Sequence, residues 1–147
     1  FGVSNETTKH VLEEKVKGLI RSNISSGPMP SQSAVKYVLE HPETFEDEIQ
    51  HNIDTLQARY EITKSVVYED QYVPYWQVYD FNSGYFMALK VHGVDPEQLR
   101  LYLIETYSIG IIALNDTDIR IAFSFVEKDD IPHVFDTIAK AISELQK

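Results

Sequence analysis

The sequence predicts an α+β fold: a helical N-terminal part with a long bridging helix, then a small β-α-β-β-α domain on a mainly antiparallel sheet. Three observations predict it. Apolar residues recur at spacings of three and four through the first 64 residues, the helical period. Short β-rich runs alternate with helical ones after residue 85. Ile131, Val134, Phe135, Ile138, Ile142 and Leu145 then give a clean helical period that closes the chain, so the sheet has helices to cover one face.

Each element has its own signals. In the first helix Val11, Leu12, Val16, Leu19 and Ile20 form an apolar stripe between Lys9, Glu13, Glu14 and Lys17, and Ser4 or Asn5 opens it. Gly27, Pro28 and Pro30 break that pattern, Ser31 caps a short helix that buries Ala34, Val35, Val38 and Leu39, and His41-Pro42 stops it. Thr44-Phe45-Glu46-Asp47 has the form of a capping box. Phe45, Ile49, Ile53, Leu56 and Tyr60 then carry one long helix over residues 44–64, with acids in its first turn and Arg59 and Lys64 late, as the helix dipole favours. Tyr68, Tyr72, Tyr75, Trp76, Tyr79 and Phe81, interrupted by Pro74, read as a buried aromatic connector. Residues 85–91 read as a strand. Asp95-Pro96 starts a helix continued by Leu99, Tyr102, Leu103 and Tyr107, and the runs 109–114 and 119–126 form a hairpin through Asn115-Asp116-Thr117-Asp118. Residues 1–65 are therefore expected to be a helical segment and residues 66–147 a small domain.

Composition excludes several classes of function. Thirteen Lys and Arg against 23 Asp and Glu leave a net charge of −10, which argues against nucleic acid or an anionic membrane as the main partner. The chain has no cysteine, so disulfides, thiolate metal sites and cysteine nucleophiles are ruled out. No stretch approaches the roughly 18 apolar residues of a membrane span. The five histidines make no close metal pair, so no metal is expected, and the six glycines form no phosphate loop. No lysine has the desolvated or cationic surroundings that lower an amine's pKa, and no catalytic residue is expected within the chain. The first residue is Phe1, which reads as the edge of a processed or cut chain.

Two arginines are candidates for binding. In the run Ile119-Arg120-Ile121-Ala122-Phe123-Ser124-Phe125, strand alternation puts Ile119, Ile121, Phe123 and Phe125 on a core face and Arg120 on the other with Ala122 and Ser124. Two small neighbours leave room around a guanidinium whose fork suits a carboxylate. The structural alternative is an exposed ion pair between Asp118 and Arg120 at the hairpin rim. Arg21 ends a helix before a Ser-rich loop, where it either complements the helix dipole or contacts an anion at a loop mouth.

Asn82-Ser83-Gly84-Tyr85-Phe86, Val94-Asp95-Pro96-Glu97-Gln98-Leu99, Asp118-Ile119-Arg120-Ile121-Ala122-Phe123-Ser124 and Asp129-Asp130-Ile131 stand in an order and spacing that resemble the C-terminal part of a fold type I, pyridoxal-phosphate-dependent aminotransferase of class I/II. Ile20-Arg21 before a Ser/Pro-rich loop and a long helix extends the resemblance over the whole chain. It implies that Arg120 holds the substrate α-carboxylate and that Arg21 is a second substrate contact. It implies pyridoxal phosphate in a parent enzyme, with the Schiff-base lysine and the cofactor contacts in a larger domain, so that this chain binds no cofactor covalently. It also implies amino acid and keto acid substrates, a cytoplasmic homodimer as the parent, and no catalytic activity in the isolated chain. The alternative is a stand-alone regulatory module that binds a small amino or organic acid.

Overall fold

The computed structural model describes residues 3, 5–25, 27–82 and 84–147. The Ser4 cap alternative and the Thr44 side chain of the capping box lie outside the described residues, as do Ser26 and Ser83. The chain divides into two compact units, Phe1–Glu48 and Ile49–Lys147.

The first unit holds α1 (Glu6–Asn23) and α2 (Met29–Glu40). Asn5 caps α1, its side-chain oxygen accepting from the Thr8 N–H at 2.8 Å. Helix α2 begins at Met29, two residues before the expected Ser31 cap, because Pro30 fits a first turn in which its missing N–H has no partner to lose. The expected burial on α2 is corrected as well: Val35 is 59% and Leu39 71% exposed, and neither helix has a buried residue. These helices are held by local terms such as the ion pairs Lys17–Glu14 and Lys36–Glu40, each worth only a few tenths of a kcal/mol.

Helix α3 (Glu46–Val67) continues past the expected end at Lys64, and its last turn buries Thr63, Val66 and Val67. The aromatic segment that follows is only partly a buried connector. It contains a strand, β1 (Trp76–Val78), that the irregular aromatic spacing concealed, and Tyr68 and Tyr79 are exposed. Tyr72 and Trp76 are buried and stacked at 4.7 Å, and the Trp76 indole donates to the Val67 carbonyl.

The remaining elements are β2 (Met87–Val91), α4 (Pro96–Tyr107), β3 (Ile112–Ala113), β4 (Asp118–Ile121) and α5 (Ile131–Leu145). Asp95 caps α4 as its Asp-Pro start requires, accepting from the Gln98 N–H at 2.8 Å. Among the described residues the strands make one antiparallel sheet in the order β1-β2-β4-β3. The registers Leu89↔Ile119, Met87↔Ile121 and Trp76↔Val91 put one apolar face together. That face packs into one core with Leu99 and Leu103 of α4 and Ile131, Phe135, Ile138 and Ile142 of α5. Each such side chain contributes about 1.5–3 kcal/mol when taken out of water. The fold is α+β.

The strand through Arg120 is shorter than its sequence suggests. It ends at Ile121, Ala122 leaves the extended region at φ −92°, ψ 72°, and Phe123–Phe125 forms a 3-10 turn. Alternation holds only while the backbone is extended. Hence Phe123 is buried as expected, but Phe125 is 84% exposed and Ser124, expected on the outer face, is buried.

Candidate functional site

On β4 the inward residues Ile119 and Ile121 are buried, and Asp118 and Arg120 point the other way. Arg120 lies opposite Ala88 on β2 and Ile112 on β3, so a methyl group is its neighbour on one side. Phe86, two residues before Ala88, fills the adjoining space. The Arg120 guanidinium carbon sits 4.5 Å from the centre of the Phe86 ring, a cation–π contact worth about 0.5–2 kcal/mol according to its exposure. Arg120 is half-buried, its Nε is shut off from water without an acceptor, and among the described residues no ion pair reaches it.

The expected alternative, an Asp118–Arg120 pair, is not formed. Asp118 is committed to its own turn, accepting from Asn115 Nδ2 at 2.7 Å, Thr117 Oγ1 at 3.0 Å and the Tyr79 hydroxyl at 3.1 Å. The Asn115 bond, followed by those from Thr117 and Tyr79, holds its carboxyl below the usual aspartate value. The Tyr79 hydroxyl is pushed up chiefly because it donates to Asp118. An ionised Asp118 is therefore satisfied without Arg120.

Beside this face lies an open cleft of about 450 Å³, lined by Leu56, Gln57, Tyr60, Glu61, Asn82, Gly84 and Tyr85. Gly84 takes a left-handed φ of 91°, which lets the chain turn there. The Tyr85 ring meets Phe86 edge-on at 6.5 Å, so the cleft wall touches the ring that carries Arg120.

Arg21 belongs to the first unit and Arg120 to the second. At the end of α1 the Arg21 Nη1 donates to Ser25 Oγ at 2.9 Å, and Ser25 has a left-handed φ of 66°. The guanidinium is exposed. Among the described residues no group of three or more His, Asp or Glu side chains is placed to hold a metal ion, and no helix is long and apolar enough to cross a membrane.

No family model and no curated protein matches the sequence. Solved structures do match its fold. An aminotransferase from Anaerococcus prevotii superposes with a TM-score of 0.80 at 18% identity, over 95% of this chain and 33% of its own. The fold is that of one part of an aminotransferase chain. An archaeal alanine:glyoxylate aminotransferase gives a TM-score of 0.72 at 19% identity, over 97% of this chain and 36% of its own. The α-aminoadipate aminotransferase of Thermus thermophilus, solved with N-(5'-phosphopyridoxyl)-L-leucine, gives 0.70 at 15% identity, over 92% and 36%. The chain thus spans about a third of the length of these aminotransferases.

Within the aminotransferase fold, two residues at the site escape a reading of the sequence. Phe86 follows from alternation only once the β2–β4 register is known. Arg59 sits 65 positions before the carbonyl it bonds, that of Ser124, and its only sequence signal is a basic residue late in a helix.

Proposed function

We propose that this chain supplies the substrate-carboxylate site of a pyridoxal-phosphate-dependent aminotransferase, an enzyme that moves an amino group between an amino acid and a keto acid. The observation that carries the reading is Arg120: a half-buried guanidinium seated on Phe86, with no carboxylate of the described chain against it and its Nε without an acceptor. A guanidinium with no carboxylate of its own gains when an external carboxylate pairs with its fork. The fold likeness to about a third of several aminotransferase chains supports the same reading.

Pyridoxal phosphate, when bound, supplies the electron sink for chemistry at the substrate α-carbon. All nine lysines of this chain are exposed, whereas the amine that engages such a cofactor sits in desolvated or cationic surroundings. In this proposal the cofactor and its lysine belong to the rest of the parent enzyme, and residues 66–147 act as its small domain. Arg120 binds and orients the α-carboxylate. Arg21 is proposed to give up its Ser25 partner for a side-chain carboxylate of a substrate held across the dimer of the parent enzyme. The parent is proposed to be a cytoplasmic homodimer whose partners are these small acids.

In the intact parent, Arg120→Ala is expected to lower kcat/KM by about 30-fold or more, since truncating one partner of a buried charge pair costs about 2–5 kcal/mol. An unchanged kcat/KM would remove Arg120 from this role.

A further inference from the structure

Arg59 is a charged side chain with only 16% of its surface exposed, and it spends its fork on a backbone carbonyl. Its Nη1 donates to the Ser124 carbonyl at 2.5 Å and its Nη2 to Glu127 Oε1 at 2.9 Å. The Glu127 side chain is 75% exposed, so that ion pair is screened and worth little. The bond that lies away from water is the one to Ser124.

Ser124 is where the exit of β4 is fixed. The sheet ladder stops at Ile121, so no strand pairing holds the turn Phe123–Phe125. Two bonds at Ser124 hold it from opposite sides: its carbonyl accepts from Arg59, and its N–H donates to the Tyr85 carbonyl at 3.5 Å. Tyr85 immediately precedes Phe86, whose ring supports the Arg120 guanidinium. Aromatic packing runs in parallel: Tyr60, next to Arg59, meets Phe81 at 5.5 Å, and Phe81 meets Phe123 at 5.9 Å. One arginine on α3 thereby ties down both the strand that carries Arg120 and the ring on which Arg120 lies.

We infer that Arg59 is a positioning residue for the Arg120 carboxylate site, acting through the Ser124 carbonyl and not through contact with the ligand. The inference rests on the reading that Arg120 binds a carboxylate. Misplacing a binding group by about an ångström is enough to weaken what it holds, because bidentate pairing is strict in direction.

The test is a titration of the full chain with sodium acetate at constant ionic strength, following the Arg120 Nε–Hε resonance by NMR. The wild type should shift and saturate. Arg59→Met, which frees the Ser124 carbonyl and so loosens the direction of the Arg120 fork, should weaken acetate by about five-fold. Arg59→Lys, which keeps a donor and the charge, and Glu127→Gln, which removes only the exposed ion pair, should stay within about two-fold of wild type. A purely structural Arg59 would lower the melting temperature without changing acetate affinity in the folded protein. If the wild type shows no saturable shift, the Arg120 reading falls and this inference with it. A normal wild type with a folded Arg59→Met of unchanged affinity overturns the inference alone. Should Arg59→Met not fold, Arg59→Gln takes its place with the same expected loss and the same overturning result, and a Glu127→Gln chain that loses five-fold or more would overturn the inference by putting the effect on the exposed ion pair.

Discussion

Single side chains decide most of the chemistry described above, and they differ in how far a sequence exposes them. Arg120 is legible because strand alternation separates it from Ile119 and Ile121 with no knowledge of partners. Phe86 and Arg59 are not, since each acts across a distance in sequence that only pairing or packing closes. Tyr72 carries a prediction at this scale. Burial first, and then donation to Asp136 Oδ1 at 2.6 Å, raise its hydroxyl well above the ordinary value of 10.0. A group whose folded pKa is raised stabilises the fold below its unfolded pKa and loses that stabilisation as pH climbs toward the folded one. Stability should therefore fall as pH rises above 10.0, the ordinary tyrosine value, and the fall should be shallower in Tyr72→Phe; urea titrations at a series of alkaline pH values measure both.

Elements were legible in proportion to the strength of their local punctuation. Asp95-Pro96 marks α4 without ambiguity, and the cap it implies is formed. Asp95→Ala is accordingly expected to cost about 1 kcal/mol, read as a lower denaturant midpoint at constant slope. The last helix is equally clear, because Ile131, Phe135, Ile138 and Ile142 all reach the core. The ends of β4 and β1 were not legible. Nothing in Ala122-Phe123-Ser124-Phe125 forbids an extended chain, and the turn there depends on the Arg59 donor from α3, the Tyr85 carbonyl and the Phe81 ring. Strand β1 has three residues, Trp76-Gln77-Val78, whose single in-out-in alternation is too short to mark a strand, so only its pairing with β2 defines it.

At the scale of the molecule the two units differ in what holds them. Within Ile49–Lys147 a continuous core joins the sheet to α4 and α5, whereas α1 and α2 have no buried residue. Helices of 18 and 12 residues without a packed face are marginal in water. In hydrogen exchange the amides of α1 and α2 should exchange within about a hundredfold of the unprotected rate, while those of Leu89, Ile119 and Ile138 should wait for global opening. Equal protection in both sets would contradict that division.

The strand order has a bearing on solubility. The two longer strands, β2 with five residues and β4 with four, lie inside the sheet, and its margins are β1 with three and β3 with two. An open sheet margin is a template on which a second chain can add a strand, and its hazard grows with the length of the row of unpaired N–H and C=O groups. Here each margin offers only a residue or two in suitable phase, so a fibril seeded from this sheet would find almost nothing to copy.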